Sequence, residues 1–157
     1  MNLPSKLSVI LPKIAHISSH IVPESIQNKV IEVALNNVLK EQLIDGELDF
    51  LEQVFLEIKV TDLNKSWFFS VEDEKILVSH ASITTQSSDV VISGEFNSFV
   101  LLASQTIDPD TLFFKRKLLI EGDVELGLAV KNLLDRVELS QLPELITKPI
   151  NAYAQIL

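Results

Sequence analysis

Hydrophobic positions along the chain follow two different periods. Between residues 5 and 21, Leu7, Leu11, Ile14, Ile17 and Ile21 recur every three or four positions, the spacing of one helical face. Pro12 falls inside this stretch and is expected to bend or split it, because proline lacks an N–H and crowds the preceding turn. Pro23 suits the first turn of a second helix, which the pattern carries to about Leu43. Its expected apolar stripe is Ile26, Val30, Val33, Ala34 and Val38, and Asp45-Gly46 closes it. The period then drops to two. Val54, Leu56, Ile58 and Val60 alternate with polar Glu57 and Lys59, and Trp67, Phe69 and Val71 alternate with Ser66, Phe68 and Ser70. With Ile76-Leu-Val78 these read as three strands joined by the turns at 62–65 and 72–75, an antiparallel meander.

A polar stretch at 80–88 reads as a crossover loop, followed by a fourth strand at 89–93 and a helix from Glu95 to about Gln105. Asp108-Pro109-Asp110 opens a turn or short helix, and Lys117–Glu121 is a fifth strand. Asp123 is a good N-cap for a helix with Leu126, Val130, Leu133 and Val137 on one face. A last amphipathic segment begins at Pro143, carries Leu145, Ile146, Ile150 and Tyr153, and is expected to be interrupted at Pro149. Strands 1–3 have no helices between them, which excludes a doubly wound sheet. The expected fold is a two-layer α+β domain with helices over one face of a five-stranded sheet. The expected division is a helical extension at 1–44, a core domain at 45–138, and a C-terminal helix at 139–157 that is a candidate lid.

Composition narrows the function. Thirteen Lys and Arg against 22 Asp and Glu give a net charge of −9, which argues against binding nucleic acid through its phosphates. Yet 46% of residues are hydrophobic and the mean hydropathy is +0.27. No apolar run approaches the roughly 18 residues of a membrane span; Phe99-Val-Leu-Leu-Ala103 is typical. Lys6, Lys13, Pro4 and Pro12 break up the start of the chain, so no secretion signal is read there. The surplus apolar content belongs in a core, a pocket or an interface. Absence of cysteine excludes disulfides, thiolate metal sites and cysteine nucleophiles, and fits a reducing compartment.

Polar chemistry is sparse. His16 and His20 have a metal-compatible spacing but no accompanying third ligand, and His80 at a strand end is expected to be solvated. Asp108 with Asp110, and Glu121 with Asp123, are paired carboxylates for which capping and turn formation are simpler roles than acid–base catalysis. The four glycines are too dispersed to cradle a phosphate. No catalytic residues, metal site or cofactor are expected. Lys115-Arg116-Lys117 is the one basic triplet; it suits a phosphate headgroup or an anionic membrane surface, or simply a solvated strand start. Residues 1–22 hold two lysines and no acid, compatible with packing on the domain, a homodimer contact or a membrane surface.

The run from Ser93 to Leu134 resembles the sterol-carrier-protein lipid-binding family. The resemblance rests on Ser93-Gly94 ending a strand, Phe96 and Phe99 on a helix, Asp108-Pro109-Asp110, Phe113-Phe114, and Lys117-Leu-Leu-Ile-Glu-Gly-Asp123 leading into a Leu-rich helix. It extends over roughly residues 45–138. One departure is Ser104-Gln-Thr-Ile107, where many members have a glycine, so the local turn is expected to differ. The resemblance implies a five-stranded mixed sheet with a lipid cavity between sheet and helices. Within the family the chain is similar to bacterial accessory factors of oxygen-independent ubiquinone synthesis. That implies a non-catalytic role, prenylated quinone precursors or phospholipid as ligands, and peptidase-U32-type hydroxylase proteins as partners. The implied location is the cytoplasm, with peripheral contact to the inner membrane. Phe96, Phe99, Val100, Phe113, Phe114, Leu118, Ile120, Leu133 and Ile146 are the candidate pocket residues, with ordinary core packing as the competing reading for each. A scaffold that organises a multi-enzyme assembly without a pocket is the alternative function.

Overall fold

The computed structural model describes residues 21–80, 87–138, 142 and 144–157. The expected N-terminal amphipathic helix, apart from Ile21, and most of the 80–88 loop lie outside these residues. Five strands form one mixed sheet: β1 (Leu56–Val60), β2 (Lys65–Glu72), β3 (Lys75–His80), β4 (Val90–Gly94) and β5 (Leu118–Gly122). Their order is β3-β2-β1-β4-β5, with β1 and β4 parallel and the other neighbours antiparallel. The meander, crossover and final antiparallel strand match the α+β architecture expected from the sequence. Alternation places Leu56, Ile58, Phe69, Val71, Ile76, Val78, Val90 and Ile92 on one face of the sheet, where helices cover them.

Six helices accompany the sheet among the described residues: α1 (Glu24–Val38), α2 (Lys40–Ile44), α3 (Phe96–Ala103), α4 (Pro109–Phe114), α5 (Val124–Arg136) and α6 (Glu144–Ala154). Asp108 and Asp123 cap α4 and α5 by accepting from the backbone N–H groups of Thr111 and Leu126. Pro109 occupies the first turn of α4, where its missing N–H costs nothing. Gly127 lets α5 approach the sheet: a Cβ there would lie 2.4 Å from Cγ2 of Ile120.

Three local expectations change. The second helix does not run unbroken to Leu43. Leu39 leaves helical geometry at φ −99°, ψ 15°, and the break keeps Leu39 and Leu43 against the core. The stripe expected on α1 is only partly right. Ile26, Val30 and Val33 are at least half exposed, Ala34 is half-buried and Val38 packs inward as expected, where it is joined by Ile31 and Leu35 rather than by the first three. α1 carries two apolar stripes, and its polar residues decide between them. Asn36 donates to the carbonyl of Ile76 and accepts from its N–H, Glu32 accepts from the N–H of Val78, and Asn28 pairs with His80. These contacts fix α1 along the edge strand β3. Finally, Pro149 lies within α6 rather than interrupting it. It sits on the exposed side of the helix, as does Leu145, the residue one turn before it that loses its helical N–H partner.

Candidate functional site

An apolar cavity of about 220 Å³ lies between the sheet and its helical cover. Leu35 reaches it from α1 and Leu39 from the break after that helix, and Leu48 and Leu51 reach it from the connector after α2. The sheet contributes Leu56, Ile58, Phe69, Val71, Ile76 and Ile92; α3 contributes Phe99 and Leu102; α5 contributes Val130, Leu133 and Leu134. Ser70 is the single polar residue on this wall among the described residues. Such a space rejects water and charge and accepts hydrocarbon, because a water molecule there would find almost no hydrogen-bonding partners.

Two of the nine sequence-proposed pocket residues, Phe99 and Leu133, line this cavity. Phe96 and Val100 turn to the outer side of α3, where Tyr153, Ala154 and Ile150 of α6 pack against that helix. The Tyr153 hydroxyl donates to Oδ1 of Asn97 at 2.8 Å and fixes this contact. Leu118 is fully buried, Phe113 and Ile120 pack against the main core, Ile146 is half-buried on α6, and Phe114 is 90% exposed. The wall residues missed by the sequence reading come largely from α1, its connector and the first two strands. The alternation in β1 and β2 marked Leu56, Ile58, Phe69 and Val71 as inward-facing. It carried no signal of where the inward face leaves a gap.

The histidine and the carboxylates occupy structural positions. His80 is 4% exposed, contrary to the solvated position expected for it, because α1 lies over the end of β3. Its Nδ1 is 2.6 Å from Oδ1 of Asn28, which assigns the proton to Nδ1, and its ring meets Trp67 edge-on. Burial pushes its pKa below the ordinary imidazole value, outweighing the opposing field of Glu24. Asp108 is held below the usual carboxylate range by the Thr111 hydroxyl and N–H. Asp110 pairs with Lys131, and all four paired carboxylates lie on the surface. His16 and His20 lie outside the described residues.

The sequence model of the SCP-2 sterol transfer family matches residues 28–135. The chain belongs to this family. The match begins within α1, so the family unit includes the helix that borders β3. The chain is 39% identical over 142 residues to the ubiquinone biosynthesis accessory factor UbiT of Escherichia coli K12, covering 90% of this chain and 79% of that protein. UbiT of Escherichia coli O157:H7 gives the same identity and coverage. Among solved structures, the UbiJ-SCP2 ubiquinone synthesis protein superposes with a TM-score of 0.60 at 16% identity, over 73% of this chain and 97% of that one. The sterol carrier protein domain 2 of Helicoverpa armigera gives 0.50 at 22% identity, over 71% and 88%. These structural likenesses establish the SCP-2 fold. Within Ser104–Ile107, where the resemblance led to the expectation of a different turn, Gln105 adopts the left-handed conformation, with φ 53°, and closes α3. No helix among the described residues is long and apolar enough to cross a membrane.

Proposed function

We propose that this chain is a non-catalytic lipid-binding accessory factor of oxygen-independent ubiquinone biosynthesis. It holds a prenylated quinone precursor, or phospholipid, by its hydrocarbon part and presents it to pathway enzymes of the peptidase-U32 type. The observation that carries this reading is the almost wholly apolar wall of the cavity in an SCP-2 domain. Its 39% identity to UbiT supports the pathway. Each CH₂ removed from water favours binding by about 0.8 kcal/mol before the costs of association. At about 220 Å³ the cavity is smaller than usual ligand pockets, which span roughly 300–1,000 Å³. A long tail therefore enters by spreading the cover. In this reading α3 and α6 move together, since α6 rests on the outer side of α3 and α3 carries Phe99 and Leu102 into the wall.

Native mass spectrometry of the purified full chain, followed by solvent extraction, tests the proposal. The expected result is a copurified or readily loaded prenyl lipid or phospholipid in the folded protein. Protein that carries none, and takes up none when offered both, overturns it. The scaffold reading is favoured by one observation, the exposed stripe Ile26, Val30 and Val33 on α1. It predicts partner binding that is indifferent to lipid.

A further inference from the structure

The turn from α4 into β5 is built to display its side chains. The N–H of Lys117 bonds the carbonyl of Leu112, and the N–H of Arg116 bonds that of Phe113, at 2.9 and 3.0 Å. This double closure normally places glycine at the left-handed position, yet here Arg116 takes it at φ 56°. The turn is anchored from within by Leu112 and Leu118, which are 1% and 0% exposed. Phe114, directly before it, is 90% exposed, the most exposed large hydrophobic side chain among the described residues. Lys115, Arg116 and Lys117 are all exposed and none forms a salt bridge among the described residues, although Asp108 at the start of α4 lies close enough to feel the charge of Lys115. Lys29, Lys65, Lys131, Arg136 and Lys148 each have a carboxylate partner, and Lys40, Lys59 and Lys75 are exposed without a salt bridge among the described residues but stand singly on separate elements. In a chain of net charge −9, a turn with three consecutive exposed cations directly after a bare phenyl ring is a distinct surface.

We infer that this turn is a docking point for an anionic lipid bilayer, with Phe114 entering the headgroup–acyl boundary and Lys115, Arg116 and Lys117 lying among the headgroups. The combination of a bare aromatic tip and flanking cations fits that boundary, which is apolar on one side and negatively charged on the other. A cleft of about 250 Å³ beside the turn is lined by Arg116 and Lys117 with Ser93 and Ser98. Glu95 also lines it and opposes a tightly held free phosphate, which favours diffuse attraction to a charged surface. The excess negative charge elsewhere disfavours other orientations on the same surface. The inference does not depend on what the cavity holds.

Co-sedimentation of the full chain with vesicles tests it. One set is phosphatidylcholine alone; the other contains phosphatidylglycerol as well. The expected result is binding to the mixed vesicles, weakened by added salt. Lys115→Gln/Arg116→Gln/Lys117→Gln lowers partitioning more than ~tenfold, since each cation contributes about fivefold near such a surface at low salt. Phe114→Ser lowers it as well. The control Lys40→Gln/Lys59→Gln/Lys75→Gln removes the same charge from other exposed sites and leaves binding near that of the parent chain. Thermal melts confirm that each variant is folded. Failure of the parent chain to prefer anionic vesicles overturns the inference and points to an acidic protein partner instead. Equal loss in both triple variants also overturns it, because net charge alone would then explain binding.

Discussion

At the scale of single residues, His80 links the domain's stability to pH. It is buried beneath the start of α1, and desolvation lowers its pKa in the folded protein. The charged groups that face it are Glu24, 3.8 Å from Nε2, and Lys65, whose fields act in opposite directions. The unfolded chain therefore binds more protons at His80 than the folded one once the pH falls to the ordinary imidazole range, about 6.5. The contribution to stability is complete above that range and is lost as pH falls towards the folded pKa. Nuclear magnetic resonance titration of the His80 ring is expected to show its midpoint displaced below the ordinary value. Thermal melts between about pH 7 and about pH 5 are expected to fall more steeply for the parent chain than for His80→Gln. A midpoint at or above the ordinary value defeats the argument. A solvated His80 was the natural expectation for a polar residue at a strand end. Only the partner 52 positions away in the chain, Asn28, makes its burial tolerable.

Among elements, the seam between α1 and β3 shows how a polar pattern can choose a helix face. Asn28, Glu32 and Asn36 recur every four residues, about 6 Å along the helix. His80, Val78 and Ile76 recur every two residues, about 6.6 Å along the strand. The two periods nearly match, so three successive side chains meet successive positions on an edge that would otherwise offer open backbone groups. Asn36→Ala removes both bonds to Ile76 and is expected to destabilise by about 1–3 kcal/mol in urea melts. Asn36→Asp retains an acceptor for the Ile76 N–H but loses the donor, and is expected to fall between. If Asn36→Ala melts with the parent chain, the seam does not hold the edge. The strands were legible because period two survives in Val54–Val60 and Ser66–Val71 whatever lies on top of them. The orientation of α1 was only partly legible, because Ile26, Val30 and Val33 as well as Ile31 and Leu35 can be joined to Val38 at helical spacing. The tie is broken only by contacts across forty or more residues.

For the whole molecule, the acidic exterior and surplus apolar content meet in one arrangement: a sheet with a helical cover that leaves about 220 Å³ unfilled. Sequence pattern identified both layers and the family, yet it located the cavity imperfectly. Phe99 and Leu133 are in the wall, while the aromatic-rich Phe113-Phe114 stretch is beside the core and at the surface. Hydrophobicity marks a side chain as apolar; a void is the space several side chains together leave open, and it depends on how α1, α3 and α5 are seated. Leu102 offers a way to close that space without rebuilding the core. It lines the cavity from α3 but is only half-buried, so a larger side chain can grow into existing space with limited overpacking. Leu102→Trp is expected to preserve or raise the thermal midpoint of lipid-free protein while reducing lipid recovered by extraction severalfold. The parent chain is expected to melt higher when loaded with lipid, because a ligand that binds only the folded state stabilises it by mass action, about 2.7 kcal/mol at a hundredfold excess over Kd. The variant is expected to lose most of that increment. A folded Leu102→Trp that takes up lipid and gains stability as the parent does would show that this cavity is not where the hydrocarbon resides.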